Sequence, residues 1–341
     1  MSLQFGVSLP TCVEGMAYPI RFADHTGIAR VAAEAERLGY DSVLVNDHLS
    51  TMPYVRAGFD EPPRFYEPMV TLSYLAAQTS TIRLMTGVVV APMREPVLLA
   101  KQASVLDQLS GGRLILGVGV GAYRAEFESV RPDFAGVPRA ELVEESLEAL
   151  RLLFRERVAS YDGRHVRFSD VEMYPKPVQH PLPLYSSGNA AGTLRRAARL
   201  CDGWMPAGLP AARLAEGVRT LRANAEAGGR DPAAIAIAPQ MVLCLGDDAG
   251  DAISRFRASQ VYEHLVSLRA TTLKGIDIDA YVSENLIGDA AAVTERIARL
   301  AEAGADHLAG MIVVANTVDE MLEQMRRFAV EVAPAFRRSG T

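Results

Sequence analysis

The sequence predicts a single (β/α)8 barrel, and three observations carry that expectation. The first is the run from Leu84 to Gly121. There a β-branched stretch (Gly87 to Val90) stops at Ala91-Pro92, and a helical pattern runs from Pro96 to Leu109. Ser110-Gly111-Gly112 breaks the pattern, and a second apolar stretch ends in alternating glycines, so the whole reads as one βαβ unit. The second is that this alternation recurs until eight strands, each followed by helix, have been counted. The third is that no linker composition divides the 341 residues. One barrel over residues 1–341 follows, with insertions near 158–183 and 269–285. Closing the parallel strands removes both sheet edges; an open doubly wound sheet is the structural alternative.

Each element has its own warrant. Leu3 to Leu9 reads as the first strand and is closed by Pro10. Ile28, Val31, Ala32, Ala35 and Leu38 fall on one helical face, ended by Gly39. Asp41 to Asn46 is the second strand, followed by a polar, Pro-rich loop from Met52 to Phe65. Pro68 to Thr79 is helical, Ile82 to Val90 is strand three and Leu114 to Val118 strand four. A helix follows with Val143, Leu147, Leu150 and Phe154 on one face, and then an excursion from Val158 to Pro183. The order resumes with Leu184 to Ser187 as strand, Thr193 to Leu200 as helix, and Gly203 to Met205 as a short strand. Ala211 to Ala227 is a helix, Ile235 to Leu245 a strand and Asp251 to Leu268 helical, with an irregular segment from Arg269 to Asn285. Asp289 caps a helix with Val293, Ile297 and Leu300 on its face, and Ala309 to Ala315 is the last strand. Thr317 and Glu320 form a capping box for the final helix.

Composition narrows the function. Half the residues are apolar, enough for a sizeable core, and the formal charge of −6 comes without acidic or basic blocks. Nucleic acid is not an expected partner, since phosphate backbones require a clustered basic face. No apolar run approaches the length of a membrane span, so no membrane partner is expected. The three cysteines, Cys12, Cys201 and Cys244, show no pairing or metal spacing, which points to a reducing cytoplasm.

In such a barrel the chemistry sits at the strand carboxyl ends, so the candidates can be taken in order. Asp47-His48 follows strand two: a histidine moves a proton near neutral pH, and an adjacent carboxylate can orient or charge it. The alternative is an Asp that caps the turn with a His packed against it. Thr86-Gly87-Val88-Val89 ends strand three, where a glycine either lets a planar ring approach the chain or marks a bulge. Gly117, Gly119 and Gly121-Ala122 follow strand four and fit a dinucleotide fingerprint. That fingerprint belongs in a first βα unit, and here three strands precede it, so what remains is a backbone stripped of side chains beside a ligand. Ser187, Gly188 and Asn189 join strand five to a helix, leaving N–H groups for a phosphate or making an ordinary N-cap turn. Trp204 lies near the mouth or in the core. No HxH, HExxH or GxSxG occurs, so no metal site is expected and the hard step falls to a cofactor.

The assembled motifs resemble the luciferase-like monooxygenase superfamily, in particular its branch that uses coenzyme F420. The matching pieces are Leu38 to Leu49, Arg83 to Phe127, Tyr174 to Met205 and Leu286 to His307, in the family's order over most of the chain. The resemblance implies a deazaflavin or flavin at the carboxyl face, on a strand-three bulge with a non-prolyl cis peptide near Val88-Val89. It implies hydride transfer between coenzyme F420 and a small organic substrate, with His48 as proton donor or acceptor and Asp47 orienting it. The cofactor would contact Asp47, His48, Thr86, Gly87, Val88, Val89, Gly119, Gly121, Ser187, Gly188 and Asn189. It also implies a homodimer. FMN is the alternative cofactor, with a reduced-flavin monooxygenase as its activity, and a non-catalytic flavin-binding protein is the third reading. In the sugar-phosphate dehydrogenases of this branch a glutamate follows the third glycine of the strand-four loop. Here that position is Ala122, which speaks against glucose 6-phosphate as substrate.

Overall fold

A computed structural model describes residues 3–268 and 277–337. The first strand, Gln4–Ser8, pairs in parallel with the second, Ser42–Val45, which pairs with the third, Arg83–Thr86. The third pairs with the fourth, Leu114–Gly119, and the fourth with the fifth, Leu184–Ser187. The sixth, Gly203–Met205, joins the fifth to the start of the seventh, Ala236–Ile237. The seventh continues as Gln240–Leu245 against the eighth, His307–Val313, which pairs back onto the first. The ring is closed, as the alternation predicts.

Two apolar layers hold it. Outside, the helices bury their faces on the strands: Ile28, Val31, Ala32 and Ala35 from His25–Arg37, and Val143, Leu147 and Leu150 from Arg139–Arg155. Inside, Leu44, Met85, Ile115, Tyr185, Met205, Ala238 and Ala309 make a separate cluster, contributed by strands two to eight. A barrel filled by side chains is a packed core, which leaves its carboxyl rim for chemistry. Arg113, 8% exposed, ties two helices to this frame by donating to the carbonyls of Ala76, Thr79, Ile82 and Ser110. Ala76 and Ser110 are the last residues of their helices, where carbonyls lack intrahelical partners.

Several expected boundaries are corrected. Strand three is not continuous to Val90: it stops at Thr86, the Gly87–Val88 peptide is cis, and Val89–Val90 then pairs with Val118 and Gly119. The Met52–Phe65 loop contains a helix, Pro53–Gly58, because Val55 buries itself with Met16 and Met52. A short helix, Arg124–Val130, precedes the long one after strand four. The excursion near 158–183 is an antiparallel hairpin, Val158–Asp162 with Arg167–Glu172. Glu145 pins it to the outer helix by accepting the N–H groups of Arg164, His165 and Val166. The Asp251–Leu268 helix is two, Ala249–Arg257 and Gln260–Leu268, since Ser259 accepts the N–H of Tyr262 and starts the second. Within the expected irregular segment, residues 269–276 lie outside the described residues and Ile278–Glu284 is helical. The last strand begins two residues early, at His307, whose ring is buried against the Ser42 hydroxyl at 2.8 Å. Trp204 is in the core, its Nε1–H donating to the Gly188 carbonyl.

Candidate active site

The carboxyl ends of strands two to five surround one cavity of about 290 Å³. Asp47, His48, Gly87, Val88, Gly119, Gly121, Ser187 and Gly188 all line it, from four separate stretches of sequence. Three of the expected contacts stand aside. Thr86 is fully buried and its hydroxyl donates to the Gly117 carbonyl, stitching strand three to strand four. Val89 is buried in the strand pairing. The Asn189 amide spends both its groups on the backbone of Ala207, fastening the loop after strand five to the one after strand six.

Part of the cavity wall, at Gly87, Gly119, Gly121 and Gly188, lacks side chains, and at two of these positions the reason is steric. A Cβ on Gly119 would stand 2.6 Å from Val88 Cγ2, and one on Gly121 would stand 2.7 Å from Val90 Cγ1. Gly121 also has a φ of 75°, which side chains disfavour. The Gly87 carbonyl is held by the Asn46 side-chain amide at 3.0 Å, a residue the sequence reading passed over. Strand-four glycines and the strand-three break therefore pack against each other at the cavity.

His48 and Asp47 part company, although they are adjacent in sequence. Asp47 is buried, accepts the Val90 N–H at 2.8 Å and faces Arg94 at 2.8 Å. Arg94 reaches on to Glu67 at 2.7 Å. Burial pushes the Asp47 carboxyl up from its ordinary value, with the Arg94 charge opposing. The carboxylate that holds His48 is instead Glu126, whose Oε2 is 2.8 Å from Nδ1. Its Oε1 accepts the N–H groups of Leu49 at 2.8 Å and Ser50 at 3.2 Å. Burial pushes the Glu126 carboxyl up, but the hydrogen bond and charge of His48 together with those two N–H groups outweigh it, leaving the group below its ordinary value. With its folded value lowered, the pair's contribution to stability is present above the ordinary carboxylate range and is lost as pH falls through the lowered value.

In the sequence Glu126 matches a common residue of the resembled family, but nothing there pairs it with His48, 78 positions away. The available signal was an acid in the first turn of a helix directly after a strand carboxyl end. With Nδ1 engaged, Nε2 is the nitrogen left to exchange a proton at the cavity. Among the described residues no group of three or more His, Cys, Asp or Glu side chains is placed to hold a metal.

A closed barrel, a cavity partly walled by glycines at its carboxyl rim and a carboxylate-held histidine at the edge are the features of an enzyme active site on this fold. A family model for luciferase-like monooxygenases matches residues 3–307, and the chain belongs to that family. An uncharacterized protein of Mycobacterium tuberculosis is 31% identical over 274 residues, covering 77% of this chain and 92% of its own. An F420-dependent glucose-6-phosphate dehydrogenase of Kineococcus radiotolerans is 29% identical over 185 residues, covering 52% of this chain and 51% of that protein. Among solved structures, the monooxygenase RslO1 of Streptomyces bottropensis superposes with a TM-score of 0.82 at 24% identity, over 98% of this chain and 100% of that one. An F420-dependent secondary alcohol dehydrogenase, solved with an F420-acetone adduct, superposes with a TM-score of 0.79 at 22% identity, over 99% and 100%. These two likenesses show the same fold.

Proposed function

We propose that this enzyme is an F420-dependent oxidoreductase that transfers a hydride between coenzyme F420 and a small organic substrate. The observation that carries the proposal is His48, fixed by Glu126 at the edge of a cavity whose wall is partly backbone. The residues present fit a planar ring: Gly87, Gly119, Gly121 and Gly188 bring main chain to the cavity, and Val88 and Val90 occupy the space that side chains at Gly119 and Gly121 would need. Gly87, Val88, Gly119 and Gly121 would hold the ring, and Ser187 and Gly188 would lie toward its phosphate-bearing end. Bound there, a deazaflavin would supply the acceptor or donor of the hydride. His48 then moves the accompanying proton through Nε2, and Glu126 keeps the ring turned so that Nε2 stays at the cavity. Asp47 and Arg94 brace the strand-three end from behind.

The F420-dependent relative supports this choice of cofactor. Titrating the purified protein with coenzyme F420 and with FMN, each followed by ring fluorescence, tests it. Tight binding of coenzyme F420 is the expected result. Retention of FMN alone, with oxygen consumed on reduction, would move the protein to the monooxygenase reading. Glu126→Gln should lower turnover by about tenfold, as loss of an orienting group around a catalytic histidine does. Its cofactor affinity should stay unchanged in the same titration.

The protein is expected to act as a homodimer. Val70 and Tyr74 on Pro68–Ala76, and Leu98 and Leu109 on Pro96–Ser110, are exposed on neighbouring helices. Tyr174 and Val178 extend the patch, and the intervening segment is tied to the second helix by Gln108 and the Lys176 carbonyl. Helices apolar on both faces are covered in the assembled state, and a largely apolar patch can cover its own copy in a two-fold pair. Leu98→Glu with Leu109→Glu should convert the dimer to monomer in sedimentation velocity. The three cysteines, buried and free, suit a reducing cytoplasm.

A further inference from the structure

We propose that the wall beside His48 seats an uncharged substrate with an apolar ring and one oxygen function, an alcohol or ketone, selected by Phe65 and Tyr123. This rests on the preceding reading that His48 marks the reacting end of the cavity. The His48 ring lies between two aromatic neighbours, with centroids 5.3 Å from Phe65 and 5.7 Å from Tyr123. Beside them Met16, Met52 and Val55 form a buried apolar cluster against which both rings pack. Tyr54 continues the wall, its ring 5.6 Å from Tyr123, and His264 stacks on Tyr54 at 6.0 Å. These residues come from the loops after strands one, two, four and seven, so the wall is assembled at the rim by four separate segments.

Among the described residues, the rings of the wall itself carry no charge. Burial pushes the Tyr123 and Tyr54 hydroxyls up and His264 down to about 4, so all three are neutral at pH 7. The buried carboxylates of the same loops already hold their counter-charges: Asp47 faces Arg94, Glu14 faces Arg64 at 2.9 Å, and Glu126 faces His48. A phosphate or carboxylate seated here would enter an apolar wall beside which Arg94 and Arg64 are already paired, an arrangement that buried charge does not tolerate. A neutral oxygen is a different matter. The Tyr123 hydroxyl donates to Met16 Sδ at 3.8 Å, a weak acceptor, while the Tyr54 hydroxyl lies 2.7 Å away. A carbonyl or hydroxyl oxygen is a far better acceptor and would take that proton from the sulfur. The faces of Phe65 and Tyr123 favour a ring against them in offset or edge contact.

The test uses the cofactor-loaded protein and calorimetric binding of four probes: acetophenone, 1-phenylethanol, ethylbenzene and glucose 6-phosphate. Acetophenone and 1-phenylethanol should bind at least tenfold tighter than glucose 6-phosphate. Phe65→Ala should weaken both at least fivefold with cofactor affinity unchanged, and Phe65→Leu should restore part of the loss. Tyr123→Phe should weaken acetophenone but leave ethylbenzene, which lacks the oxygen, unaffected. Tighter binding of glucose 6-phosphate, no binding of the neutral probes, or equal losses for acetophenone and ethylbenzene would each overturn the proposal. Failure to bind either cofactor would instead count against the oxidoreductase reading. The probes are then measured on the free protein, against the same wall and the same criteria.

Discussion

Replacing His48 with alanine is expected to lower turnover by about 100-fold or more, the range in which a positioned proton donor or acceptor acts. Cofactor affinity should change far less, within about threefold, because the wall that would hold the ring is made of main chain at Gly87, Gly119 and Gly121. The contrast between the two numbers is the informative result. A side chain that only packed against the ring would weaken binding and leave turnover of the bound state intact. Single-turnover rates and fluorescence titration, measured on the same preparation, separate the two. Turnover unchanged in the alanine variant removes His48 from the chemistry, and the hydride-transfer proposal then loses its proton carrier.

Asp47→Ala should act on stability. Its carboxylate accepts the buried Val90 N–H and faces Arg94, so truncation leaves a buried donor unsatisfied and removes half of an ion pair. Losses of that kind cost about 3–5 kcal/mol when the partner is stranded. Here Arg94 keeps Glu67 at 2.7 Å, so about 2–4 kcal/mol is expected, read from the urea midpoint at constant slope. Asp47→Asn should cost less than half as much, since the amide oxygen still accepts from Val90 and the charge it gives up is one that burial already disfavours. A folded Asp47→Asn enzyme should keep its turnover within about threefold, in contrast to the proton-transfer variant. A collapse of turnover in Asp47→Asn with stability unchanged would return Asp47 to the role the adjacency of Asp47 and His48 suggested.

The fold was legible because its signals are local. Apolar stretches of strand length, helical faces such as Ile28 to Ala35, and glycine or proline stops recur in order, and each is read within about fifteen residues. The loops were less legible. The Val158–Asp162 and Arg167–Glu172 hairpin alternates only weakly, as most of its residues face solvent and its anchor is a distant Glu145. The Pro53–Gly58 helix forms around one buried valine, too little to make a period. That glycines from strands three to five line the cavity was legible, because a glycine announces a missing side chain wherever it stands.

Sequence alone determined that this chain closes a parallel barrel with a side-chain-poor rim and a histidine at the end of its second strand, because strand, helix and turn propensities act over a few neighbouring residues. Only the tertiary structure decided which carboxylate serves which partner. Asp47 sits beside His48 in the chain yet turns inward to Arg94, while Glu126, on the far side of two strands, closes on the imidazole. Successive residues at a strand end point to opposite sides, so neighbours in sequence are separated by the backbone itself. The barrel then brings its successive loops to one rim, and partners are chosen there by direction and distance.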